Sequence, residues 1–181
     1  MTSLRRLLLT STVLTLPLLA GCGLFGKQVS LEFTDEDKQR CPAVGIVAYT
    51  GEITNFVEGK GRTTADVIDR GSLSGLLVDC FNTASGVDAS ISFDVSASTG
   101  AAGRGSSVNL TYFVAITNDD DETLQKKLYR INIPTRGGSG SERQIVGVQI
   151  PFAADGIELV DQEVLIGFQL TKEQLTYNVN R

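Results

Sequence analysis

Histidine is missing from all 181 residues, tryptophan with it, and methionine occurs once. A chain without histidine cannot build a Ser-His-acid triad or a Cys-His dyad, and it lacks the ligand on which most catalytic zinc sites depend. Other nucleophile signatures are absent too: there is no GxSxG elbow and no SxxK. CxxC and CxxH spacings do not occur, so metal binding and thiol redox catalysis find no support. Gly59-Lys60-Gly61 and Gly103-Arg104-Gly105 never complete a phosphate loop and read as loop tips.

Carboxylates are plentiful, but their pattern is bland. In Asp119-Asp120-Asp121-Glu122 a calcium loop would need oxygen ligands continuing at alternate positions, whereas Thr123 and Leu124 follow. The cluster reads as a solvated turn, and Glu32, Asp35, Glu36 and Asp37 as a solvated segment. No metal or cofactor is expected.

Long apolar runs are also lacking. The one apolar stretch, Leu7–Leu19, follows Arg5 and Arg6 and is too short for a membrane-spanning helix. It closes on Leu19-Ala20-Gly21-Cys22, a lipobox. The expectation is a signal peptide over residues 1–21, cleaved before Cys22, whose sulfur then takes a diacylglycerol. Two or three acyl chains, palmitate among them, anchor stably where one chain binds marginally. Residues 22–40 read as a lipid-anchored tether and exposed segment, with a short alternation at Val29, Leu31 and Phe33, and residues 41–181 as the folded domain. Gly23 lacks the aspartate that holds many lipoproteins at the inner membrane, so the expected address is the outer membrane, facing the periplasm. Arg5 and Arg6 belong to the leader, which leaves 14 basic against 21 acidic side chains. That surface repels phosphate backbones, so nucleic acid is not an expected partner.

Once Cys22 is lipidated, Cys41 and Cys80 remain. An even pair in an oxidising compartment points to a disulfide, the other reading being two separate buried thiols. Closing that loop stabilises by about 4 kcal/mol in the chain-entropy account. If Ala43–Tyr49 pairs antiparallel with Leu73–Phe81, the two sulfurs meet at one end of the fold.

Strands are expected at Ala43–Tyr49, Leu73–Phe81, Val87–Ala97, Val108–Thr117, Lys127–Ile133, Gln144–Phe152 and Glu163–Leu170, with Ile53–Val57 as a further candidate. Val67–Gly75 has no legible facing. Val87–Ala97 is the clearest: Ala89, Ile91, Phe93, Val95 and Ala97 alternate with Asp88, Ser90, Ser92, Asp94 and Ser96. Phe81, Phe93, Tyr112 or Phe113, Phe152 and Phe168 read as core, and Tyr177 as packing on it. Gly100–Ser107 and Arg136–Arg143 read as mobile connections. The Thr171–Gln174 capping box predicts a helical turn over Glu173–Tyr177. Short strands without crossover helices make an all-β antiparallel two-sheet sandwich, immunoglobulin- or fibronectin-like, with a small β-barrel as the alternative.

Four stretches carry a resemblance: Cys41-Pro42-Ala43-Val44-Gly45-Ile46-Val47, Leu77-Val78-Asp79-Cys80, Tyr112–Thr117 and Ile166–Leu175. In these the chain resembles a family of small cell-envelope lipoproteins from Gram-negative, chiefly alphaproteobacterial, genomes. The resemblance implies location and architecture and supplies no catalytic residue.

The expected function is therefore a lipid-anchored envelope protein with a non-catalytic β-sandwich, held to the membrane through Cys22. It would bind another envelope protein or scaffold an assembly, through a sheet edge or the glycine-rich loops. The alternatives are a small-ligand or glycan-binding module and a carboxylate-dependent envelope enzyme.

Overall fold

The computed structural model describes residues 41–83, 85–118, 120, 122–151 and 162–181. The leader, Cys22, the tether, Phe152, Asp119 and Asp121 lie outside the described residues. Among these residues eight strands and one α-helix follow in order, with a single 3-10 turn at Thr64–Asp66: β1 (Ala43–Ile46), β2 (Glu52–Phe56), β3 (Val67–Asn82), β4 (Gly86–Thr99), β5 (Ser107–Thr117), β6 (Thr123–Pro134), β7 (Ser139–Pro151), β8 (Glu163–Phe168) and α1 (Lys172–Val179). They form two four-stranded sheets, ordered β1-β8-β5-β6 and β2-β3-β4-β7. All pairings are antiparallel except β1 with β8. The fold is an all-β sandwich and not a closed barrel. The chain crosses between the two layers: β4 and β7 are neighbours in one sheet, while β5 and β6, between them in sequence, form a hairpin in the other.

Alternation accounts for the core. On β4 the residues Val87, Ala89, Ile91, Phe93, Val95 and Ala97 are buried, and the intervening Asp and Ser face outward. Val108, Leu110, Tyr112, Val114 and Ile116 of β5 and Val164, Ile166 and Phe168 of β8 meet them from the other sheet. Phe81 departs from expectation. It is 64% exposed, because the strand that carries it changes facing.

That change is a β-bulge. Ser74 pairs with Asp94 and Leu77 with Ser92, so Gly75 and Leu76 together oppose Phe93 alone. Gly75 sits at φ +62, the left-handed region open to glycine. Before the bulge Val67, Gly71 and Leu73 point inward; after it Leu76, Val78 and Cys80 do, and Leu77 and Phe81 turn out. The absent facing in Val67–Gly75 and the strand at Leu73–Phe81 are therefore two halves of one 16-residue strand.

Cys41 and Cys80 are joined by a disulfide with their Cα atoms 5.7 Å apart. The pairing expected to bring them together does not exist. β3 is flanked by β2 and β4, while β1 lies beside β8 in the other sheet, Val44 and Ile46 in register with Val164 and Ile166. The bond therefore ties one layer to the other. It spans the sandwich because the bulge turns Cys80 inward.

Two connections expected to be free are pinned. Gly100 and Ala102 donate their amides to the Ile68 and Val67 carbonyls, and Thr99 N–H donates to Gly138 O. Of Arg136–Arg143, residues from Ser139 onward are strand β7, which leaves a tight turn with Gly137 and Gly138 at positive φ.

The helix forms where its cap predicts, somewhat longer than Glu173–Tyr177. Thr171 Oγ1 accepts from Gln174 N–H, and Gln174 Oε1 accepts from Thr171 N–H. Tyr177 packs edge-on against Phe56 of β2, ring centroids 5.0 Å apart. No helix among the described residues is long and apolar enough to cross a membrane.

Candidate functional site

The outer face of the β2-β3-β4-β7 sheet gathers the side chains that neither core packing nor turn geometry explains. The registers set its rows. Glu52, Ser72, Ser96 and Ser141 form one row across the four strands, and Thr54, Arg70, Ser98 and Ser139 form the next. Short side chains keep this floor low, and Ser96 Oγ donates to Ser141 Oγ at 3.0 Å. Arg181, beyond α1, pairs with Glu52 at one side. The result is an open trough of about 760 Å³ lined by hydroxyls, Arg70, Arg181 and Glu52, with no aromatic ring.

Beyond the trough stands an ion pair. Arg143 Nη1 donates to both Asp94 oxygens at 3.1 Å, and Nη2 donates to Ser92 Oγ at 3.0 Å. A Cβ on Gly75 would lie 2.7 Å from Asp94 Oδ2, so the bulge glycine also clears space for this carboxylate. The pair is more than a third exposed, and such pairs contribute at most about 1 kcal/mol. Its consequence is positional: the guanidinium is held across β4 and β7 in the middle of the face.

At the far end three exposed apolar side chains stand among polar ones. Leu77 and Ile145 both pair with Ser92, one from each side, and are 60% and 72% exposed. Phe81 stands farther along the same face, beyond Asp79 and opposite Asp88.

A second hollow of about 360 Å³ lies between β2, the turn after it and α1, lined among others by Asn55, Lys60, Arg62, Glu173 and Tyr177. Its polar groups hold the helix in place. Gln174 Nε2 donates to Asn55 Oδ1 at 2.7 Å, and Asn55 Nδ2 donates to Asp69 Oδ1 at 2.6 Å. Burial pushes the Asp69 carboxyl above its ordinary value, against the lowering effect of the Asn55 bond.

Of the residues singled out from sequence, Cys41 and Cys80 come together as a structural bond. Cys22 lies outside the described residues. Asn118 and Glu122 close the acidic turn on themselves, Glu122 N–H donating to Asn118 Oδ1 at 2.8 Å. Among the described residues no group of three Asp, Glu, Cys or His is placed to hold a metal ion. The outer-face residues were missed as a set. Ser139, Ser141 and Arg143 carried the composition of a loop, and only the register shows that they share a face with residues 52–54, 70–72 and 96–98. Comparison with protein-family models, with curated proteins and with solved structures found no match to the chain.

Proposed function

We propose that this is a lipid-anchored envelope protein whose sandwich is a non-catalytic binding module, contacting another envelope protein through the outer face of the β2-β3-β4-β7 sheet. The observation that carries the reading is the exposure of Leu77, Ile145 and Phe81 on the face that holds the Asp94–Arg143 pair. Apolar side chains flanked by a fixed ion pair suit recognition, in which the charges set orientation and the apolar groups supply burial. The lipobox ending at Cys22 supports the address. Lipidation at Cys22 leaves the domain on a tether of 18 residues, close to its membrane.

A photo-crosslinking side chain placed at Phe81 tests this in cells, with the same group at Asn109 on the outer face of the other sheet as control. Phe81 is expected to capture one envelope protein and Asn109 none. In the Cys22→Ser variant the protein is expected to leave the membrane fraction and the capture to weaken. Equal capture from both faces, or hydrolysis of an envelope substrate by the purified protein, defeats the reading.

The trough supports a second reading, a small-ligand or glycan module. Its size falls in the range of ligand sites, and its hydroxyls and guanidinium groups suit a polar, anionic or sugar ligand. The missing aromatic platform weighs against sugars. Saturable binding of a soluble anionic glycan, lost in Arg70→Ala, would favour it over the first.

A further inference from the structure

Among the described residues each sheet ends in two edge strands, and an unpaired edge is a template for another strand. Three of the four are guarded. β1 is only four residues long. β6 presents Lys126, Lys127 and Arg130, charges that discourage pairing. β2 lies against α1, where Asn178 Nδ2 donates to the Glu52 carbonyl at 2.8 Å. β7 differs: it runs for 13 residues and carries no charge from Gln144 to Pro151. Among the described residues β4 is its one strand neighbour.

We propose that β7 pairs antiparallel with β7 of a second copy of this chain, centred on Ile145, so that two four-stranded sheets become one of eight. The choice of a second copy rests on self-complementarity. Continuing both faces of the sheet requires each residue to oppose one of the same facing, so the two-fold axis falls on a residue. Centring on Glu142 or Arg143 sets like charges opposite each other, which is destabilising. Centring on Ile145 sets one exposed apolar side chain against its counterpart and places Arg143 opposite Gly147. Nothing lies within 4 Å of the position a Gly147 side chain would take, which leaves room for the facing arginine. Glu142 then opposes Val148, and no like charges meet.

This goes beyond the heterologous partner on the outer face, and the register along the edge is what tests it. In the full-length protein in its membrane, Ile145→Cys is expected to yield, on mild oxidation, a disulfide product of twice the chain mass. Directly opposed residues sit about 4.5–5.5 Å apart at Cα, within disulfide reach. Gln149→Cys is expected to yield none, since in this register it lies eight residues, about 27 Å, from its counterpart. The purified unmodified protein in detergent is expected to sediment as a dimer and Ile145→Lys as a monomer, with Cys41–Cys80 still bonded as the check on folding. Absence of the Ile145→Cys product, or equal product from Gln149→Cys, overturns the proposal.

Discussion

Tyr112 shows how one residue can serve both the core and its polar rim. Its ring stacks on Tyr129 with centroids 5.1 Å apart and meets Phe93 edge-on at 5.3 Å. Its hydroxyl donates to Gln144 Oε1 at 3.2 Å, so a buried phenol keeps one polar contact at the margin of β7. Burial, followed by the neighbouring Tyr129 and Glu142, pushes the phenol up to about 12. An acid whose folded value lies above its unfolded value of about 10 favours the folded state while it is protonated. As pH rises from 10 toward 12 the unfolded chain releases this proton and the folded chain keeps it, so stability falls across that window. Titration by ultraviolet absorbance is expected to show one late-ionising tyrosine that disappears in Tyr112→Phe. The same variant is expected to flatten the fall of unfolding free energy between pH 10 and 12. A late-ionising tyrosine that survives the substitution assigns the shift elsewhere.

At the scale of elements, the sequence was legible wherever one facing runs the length of a strand. β4 alternates without a break from Val87 to Ala97, so both its extent and its inner face follow from period two. β3 resists the same treatment because the bulge at Gly75-Leu76 inserts one residue and inverts everything after it. The first turns of β7 were hidden for another reason. Ser139-Gly140-Ser141 has the composition of a loop, but pairing with Ser98, Ala97 and Ser96 makes it strand, a case of partner geometry overriding intrinsic preference. The outer-face site was illegible on both counts, since it depends on the register of four strands far apart in sequence. Gly75 is the hinge of that register. Replacing it with alanine forces an L residue into the left-handed region, at about 1–2 kcal/mol, and drives its Cβ against the Asp94 carboxylate that Arg143 holds. Gly75→Ala is thus expected to lower unfolding free energy by roughly 1–3 kcal/mol in urea titration. The same change at Gly147, where φ is not positive and nothing lies within 4 Å, is expected to leave stability within about 0.5 kcal/mol in a monomeric background such as Ile145→Lys. Equal effects at the two positions would remove the bulge glycine from this role.

For the molecule as a whole, the disulfide matters through where it sits. Cys41 stands two residues before β1, on the side of the domain that faces the expected tether. Cys41 precedes a four-residue edge strand held by one parallel pairing to β8, whereas Cys80 belongs to a long strand with neighbours on both sides. A pull transmitted from a membrane anchor would reach the domain at β1, the element least able to bear it. Under the proposed anchoring the bond would pass that load to β3 in the other layer. Replacing both cysteines by serine removes a 39-residue cross-link, and the chain-entropy account gives a loss of about 4 kcal/mol. The loss need not be spread evenly. β3 keeps its ladders to β2 and β4, whereas β1 keeps a single ladder, to β8, and the packing of Val44 and Ile46 on the core, so local opening should concentrate at the N-terminal edge. Amide exchange in the Cys41→Ser, Cys80→Ser double variant is expected to accelerate most at Val44–Ile46 and to keep the order of protection among β4, β5 and β8. Acceleration by one common factor across all strands would mean that the bond stabilises only the global fold and that β1 needs no clamp.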